Sequence, residues 1–130
     1  EKADLVVLAG FMTIFDEKVT KPYSYKIINV HPALIPSFCG EGFYGLHVHE
    51  AALNYGVKVS GATVHFVNEE ADAGAIILQK AVNVRYDDTP ETLQKRIMQE
   101  AEWKILPKAV SLFCQDKIEI INDKAVIRED

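Results

Sequence analysis

Apolar residues follow two spacings along the chain, and the change from one to the other marks its elements. Leu5-Val6-Val7-Leu8-Ala9 is an unbroken apolar run closed by Gly10, the pattern of a strand buried on both faces of a parallel sheet. Lys26-Ile27-Ile28-Asn29-Val30-His31 is a second strand, stopped by Pro32 and followed by a loop through Pro36 and the glycine-rich 40–45 stretch. Residues Val59 to Val67, rich in β-branched side chains, predict a third. Ala75 to about Val84 predicts a fourth, long enough for a kink near Lys80. Between them the spacing turns helical. Asp16 can cap a short helix that carries Glu17 in its first turn and ends before Pro22, and Leu46, Val48, Ala51, Ala52 and Leu53 suit one face of a helix that Gly56 stops. Thr89-Pro90-Glu91-Thr92 opens the longest helix, because Thr89 can cap and Pro90 needs no amide partner at the first helical position. Leu93, Ile97, Ala101 and Ile105 then recur along it, and Pro107 either kinks it or divides it in two. Ile118 to Ile121, Asn122-Asp123-Lys124 and Ala125 to Ile127 read as a hairpin.

This alternation predicts an α/β fold on an open, mostly parallel, twisted sheet, with residues 1–130 forming part of one domain. A central-type strand that opens almost at residue one lacks neighbours to cover it, so the chain is expected to be the C-terminal part of a longer α/β protein. In such sheets, polar residues at the carboxyl ends of strands are where a site is sought.

Composition narrows the function. At 48% hydrophobic and 25% charged with a mean hydropathy of zero, the chain is of ordinary globular type, which excludes a disordered tail or a coiled coil. Fourteen basic against nineteen acidic residues leave a net charge of −5, so no field favours nucleic acid or an anionic membrane. Cys39 and Cys114 lie far apart with no ligand spacing around them, which points to a cytosolic compartment and to neither a disulfide framework nor a metal site. No apolar stretch approaches the roughly 18 residues that a membrane helix needs.

Asn29-Val30-His31-Pro32 ends an apolar strand, and alternation puts Asn29 and His31 on one side of it, about 7 Å apart at their Cα atoms. An asparagine can donate to a developing oxyanion and a histidine can hold or move a proton near neutral pH; the same pair also suits a loop cap and a histidine satisfied by a carbonyl. In the loop Asn68-Glu69-Glu70-Ala71-Asp72-Ala73-Gly74, Glu69 and Glu70 read as a solvated turn. Asp72, beside small residues, can turn inward to an imidazole. His65, inside a strand, reads as structural, and His47 and His49, two apart at the start of a helix, as surface residues that make a poor metal pair. The 40–45 glycines suit either a lid or an ordinary long turn.

Taken together, Leu8-Ala9-Gly10-Phe11-Met12, Ile28-Asn29-Val30-His31-Pro32-Ala33-Leu34-Ile35-Pro36, Gly61-Ala62-Thr63-Val64-His65-Phe66-Val67 and Ile76-Ile77-Leu78-Gln79 resemble the phosphoribosylglycinamide formyltransferase family over essentially the whole chain. The resemblance implies the formyltransferase type of sheet without its first Rossmann-like strands. It also implies transfer of a formyl group from 10-formyltetrahydrofolate, as cosubstrate, to glycinamide ribonucleotide in purine biosynthesis. It would place the catalytic residues at Asn29, His31 and Asp72, the folate contacts at Met12, Phe15, Asn68, Glu69, Glu70 and Ala71, and substrate contacts at Gly10, Pro32 and Glu102, with no metal. Two departures stand out. Thr13 occupies a position that is often Arg, and the family's glycine-rich phosphate-binding segment precedes the point where this chain starts, so the chain alone is expected to turn over poorly. An exposed flank on the Leu5 to Ala9 strand also invites self-association. Formyltetrahydrofolate deformylase shares the Asn, His, Asp set but typically carries a second His where Pro32 stands here. Methionyl-tRNA formyltransferase would need a basic surface, and a non-catalytic folate-binding module is the reading from outside enzymology.

Overall fold

A computed structural model describes residues 6–9, 27–38, 45–67 and 74–128. Their main sheet has four strands in the order β1 (Val6–Ala9), β2 (Ile27–His31), β3 (Val59–Phe66) and β4 (Ile76–Asn83), and a separate hairpin joins β5 (Ile118–Ile121) to β6 (Lys124–Ile127). The helices are α1 (Leu46–Tyr55), α2 (Pro90–Ile97) and α3 (Trp103–Cys114), the last two joined by a π-helical turn at Met98–Glu102. The helix expected between Asp16 and Pro22 lies outside the described residues. No helix among the described residues is long and apolar enough to cross a membrane.

The α/β class holds, but the mostly parallel pairing does not among these strands. β1 and β2 run parallel, whereas β2–β3 and β3–β4 are antiparallel. For the last pair the reason is chain length: residues 67–75 are fewer than the dozen or so that a parallel crossover requires. No kink falls at Lys80. The irregularity lies earlier in β4, where Ile77 is an extra residue opposite the Val64–His65 step of β3.

Alternation along β2 and β3 divides the sheet into two unlike faces. Ile28, Val30, Ala62, Val64 and Phe66 point to the helices and meet Leu93, Ile97, Ala101, Ile105 and Ala109 in one buried core. Those five helical residues stand four apart, and on an ideal α-helix each such step drifts by about 40° around the axis. A column of five would leave the core face. The wider turn at Met98–Glu102, where the Trp103 amide reaches back to the Met98 carbonyl, inserts an extra residue and takes back about 100° of that drift. Pro107 neither divides nor ends the helix; α3 runs through it to Cys114, and the interruption lies one turn earlier.

Local chemistry explains the remaining boundaries. Thr89 caps α2 by accepting from the Thr92 amide, while the Thr92 hydroxyl accepts from the Thr89 amide, with Pro90 at the first position. Gly56 ends α1 at φ 87°. Asn122 and Asp123 both adopt positive φ in the β5–β6 turn, the geometry that matches strand twist in a two-residue hairpin.

Candidate active site

The second sheet face is polar and nevertheless buried. Asn29 and His31 on β2 stand opposite His65 and Thr63 on β3, and all four are at most 2% exposed. Buried polar groups are costly unless hydrogen-bonded, and here the bonds fix each side chain. The His31 Nε2–H donates to the Phe38 carbonyl at 2.8 Å. Nδ1–H of His65 donates to the Phe66 carbonyl at 2.9 Å. In the neutral ring that leaves Nε2 as an acceptor, which faces Asn29 Nδ2–H at 3.5 Å. His65 thereby orients the Asn29 amide.

Thr63 ties down the segment that follows β2. Its hydroxyl donates to the Ala33 carbonyl at 2.7 Å and accepts from the Ile35 amide at 3.0 Å and from Gln79 Nε2 at 3.0 Å. Gln79 Nε2 also reaches the Ile35 carbonyl at 3.0 Å. Two polar side chains from β3 and β4 therefore shape the loop that holds Pro32 and, through Phe38, the His31 ring.

On the helix side of β2 lies a cavity of about 550 Å³, bordered by Val30, Pro32, Gly45, His49, Gln94, Met98, Glu102, Trp103, Leu106 and Pro107. The π turn delivers Glu102 to its wall, where burial pushes the carboxyl above its usual range. His49 also borders this space, fully buried and not the surface residue that the sequence suggests. His47 alone is exposed, beside Glu50 at 3.3 Å. The signal was present in the spacing: His49 stands three before Ala52 and four before Leu53, on the apolar face of α1. Burial first, and the nearby His31 second, lower the His49 imidazole from 6.5 to about 4, so it is neutral at physiological pH. Neither of its ring nitrogens finds a hydrogen-bond partner among the described residues.

Of the site residues expected from sequence, the structure thus places Asn29 and His31 together on one face and Pro32 with Glu102 on one cavity. Gly10, Met12, Phe15, Asn68, Glu69, Glu70, Ala71 and Asp72 lie outside the described residues, as does Cys39. Thr63 and Gln79 had no local signal, because each acts through partners distant in sequence. Among the described residues no group of three His, Cys, Asp or Glu is placed to hold a metal ion.

Known proteins share this chain's sequence pattern and fold. Residues 1–110 match the family model described as formyl transferase. The chain is 44% identical over 115 residues to a protein named phosphoribosylglycinamide formyltransferase, chloroplastic, from Arabidopsis thaliana, a match that covers 88% of this chain and 39% of that protein. Among solved structures it is similar to phosphoribosylglycinamide formyltransferase from Anaplasma phagocytophilum, with a TM-score of 0.87 and 45% identity, covering 98% of this chain and 60% of that one. A formyltetrahydrofolate deformylase from Pseudomonas syringae pv. tomato follows with a TM-score of 0.84 and 34% identity, covering 98% of this chain and 41% of that one. The chain therefore spans between about two-fifths and three-fifths of the length of these relatives.

Proposed function

The chain belongs to the formyl transferase family, and from that premise we propose that it forms the formyl-transfer part of a phosphoribosylglycinamide formyltransferase, moving a formyl group from 10-formyltetrahydrofolate to the amine of glycinamide ribonucleotide. The observation that carries this reading is the two-sidedness of one strand end. Asn29 and His31 present donors on one face of β2, while Val30 and Pro32 border the cavity that holds Glu102.

Acyl transfer to an amine develops negative charge on the formyl oxygen, and fixed donors at that point lower the barrier. Asn29, its amide set by His65, supplies one N–H. His31 supplies another by exchanging the Phe38 carbonyl for the reacting oxygen. The bond from the amine nitrogen to the formyl carbon forms as the folate carbon–nitrogen bond breaks, and the proton lost by the amine is returned to the folate nitrogen. In this reading Asp72 sustains the charged imidazole and relays that proton through water. Met12, Phe15 and residues 68–71 hold the pterin, and the folate supplies only the formyl group. Glu102, with Gly10 and Pro32, contacts the nucleotide substrate.

A sequence relative named as a formyltransferase at 44% identity favours transfer over hydrolysis, as does Pro32 directly after His31. The cytosolic compartment rests on cysteine usage alone; the Arabidopsis relative is named chloroplastic. The test is an assay of the whole protein with formyl-folate, with and without glycinamide ribonucleotide. Amine-dependent loss of formyl-folate is expected, and formate release at the same rate without the nucleotide would convert the assignment to a deformylase.

A further inference from the structure

His31 is held by a backbone atom, and that atom belongs to a residue in an unusual conformation. Phe38, whose carbonyl accepts from His31 Nε2–H at 2.8 Å, has a φ of 48°, the left-handed region that a bulky side chain enters only at a steric cost. Such a conformation persists where the surrounding contacts impose it. It also sets the direction of the carbonyl, so whatever fixes Phe38 fixes the acceptor for His31. The Thr63 and Gln79 tethers reach Ala33 and Ile35, and the Ser37 amide closes a turn onto the Leu34 carbonyl at 2.8 Å. Past that turn the Phe38 ring meets Tyr55, with centroids 6.2 Å apart and planes at 77°, an edge-to-face pairing. Tyr55 is the last residue of α1, a helix seated through the buried Val48, His49 and Ala52. Its own side chain is 81% exposed, so core packing does not account for its place.

We propose that Tyr55 is a positioning residue for His31. From the last turn of α1 its ring braces Phe38, and the braced carbonyl holds the imidazole, with Nε2 protonated, in the orientation from which that N–H passes to the reacting oxygen. The proposal rests on the formyl-transfer reading for what His31 does, and on the Phe38 contacts for what orients it. Tyr55 acts through Phe38 and is not a catalytic residue. Its ring carries the effect and its hydroxyl does not, because an edge-to-face contact is made by the ring.

Two readouts on the whole protein test the assignment, and one of them does not require turnover. In the proton NMR spectrum the His31 ring N–H that meets the Phe38 carbonyl is expected as a low-field signal, broadened or moved upfield in Tyr55→Ala and kept in Tyr55→Phe. Because an edge-to-face pair shifts an equilibrium by about two- to tenfold, Tyr55→Ala is expected to lower kcat about threefold, with KM for formyl-folate and for the nucleotide within about twofold. Tyr55→Phe is expected to recover that loss. Phe38→Leu is expected to match Tyr55→Ala in both readouts, and combining the two to add nothing further. A His31 signal that is missing from the parent or unchanged in Tyr55→Ala overturns the proposal. So does a kcat in Tyr55→Ala within about 1.5-fold of the parent, or a loss that Tyr55→Phe does not recover. If the parent transfers no formyl group, the formyl-transfer reading falls while the NMR comparison still decides whether Tyr55 orients His31. Formyl transfer with a His31 signal indifferent to Tyr55 keeps that reading and removes the role of Tyr55.

Discussion

Replacing Asp88 with Asn should destabilise the protein well beyond what a surface ion pair is worth. The Asp88 carboxylate receives both Arg96 Nη–H groups at 2.6 Å, the Arg85 amide at 2.8 Å and the Thr92 hydroxyl at 3.0 Å. The carboxylate is 2% exposed and the Arg96 side chain 12%. Arg96 also donates to the Asn83 carbonyl at 3.2 Å, so the cluster fastens α2 to the end of β4. That anchor sets the phase of a helix that carries Gln94, Met98 and, through the π turn, Glu102 to the cavity. Exposed pairs contribute about 0–1 kcal/mol, whereas removing one partner of a buried pair costs about 3–5. With one end of Arg96 reaching solvent, Asp88→Asn should cost about 2–3 kcal/mol, which for a domain of this size is roughly a 10 °C fall in Tm. Arg96 and the other donors hold the carboxyl far below its usual range. Its contribution is therefore present above the unfolded value of 3.8 and is lost only as pH falls through the lower folded value. Urea titrations of the parent, Asp88→Asn, Arg96→Met and the double variant between pH 7 and 3 supply the measurement. A coupling below about 0.5 kcal/mol, or a difference that has already vanished at pH 5, would show that this cluster is only a solvated surface contact.

Acid should destabilise the parent protein through His49. Its folded value of about 4 lies below the unfolded 6.5, so up to about 3 kcal/mol is lost as pH falls from 6.5 through 4; His49→Leu should flatten that slope in urea midpoints, and an unchanged slope would rule the group out. Gly61→Ala should lower stability by about 2 kcal/mol or more, since its φ is 156° and an added Cβ would run into the Lys80 carbonyl; a melting curve within 2 °C of the parent would refute the close approach. In the whole protein, Asn29→Ala and His31→Ala should each cut kcat by at least about tenfold with smaller changes in KM, and retention of half the parent kcat by either would remove it from the chemistry.

What the sequence made legible was whatever short-range chemistry decides. Thr89-Pro90 marks a helix start, Gly56 a helix stop and Asn122-Asp123 a hairpin turn, because each rests on backbone geometry that a few adjacent residues impose. Strand direction held for β1 with β2 but not beyond, since the pairing of β2 with β3 depends on contacts between residues about 35 positions apart in the chain, such as Asn29 with His65. The π turn left only an indirect trace: five apolar residues four apart drift off one face of an ideal α-helix unless one turn is wider. Asn29 and His31 are legible as a pair through strand alternation, whereas the closeness of His49 to His47 in sequence points to the surface, although its distance from Ala52 and Leu53 sets it on the buried side.

The Thr63 hydroxyl, shared by Ala33, Ile35 and Gln79, ties the loop after β2 to the docking of β4. Until β4 has joined β3, the Gln79 amide is missing from that junction and the Ile35 carbonyl lacks the tether it provides. The carbonyl that receives His31 belongs to the end of that same segment. The working geometry around His31 should consequently be among the last regions to gain protection from amide hydrogen exchange, and protease cleavage near residues 33–37 should report on the docking of a strand more than 40 positions downstream.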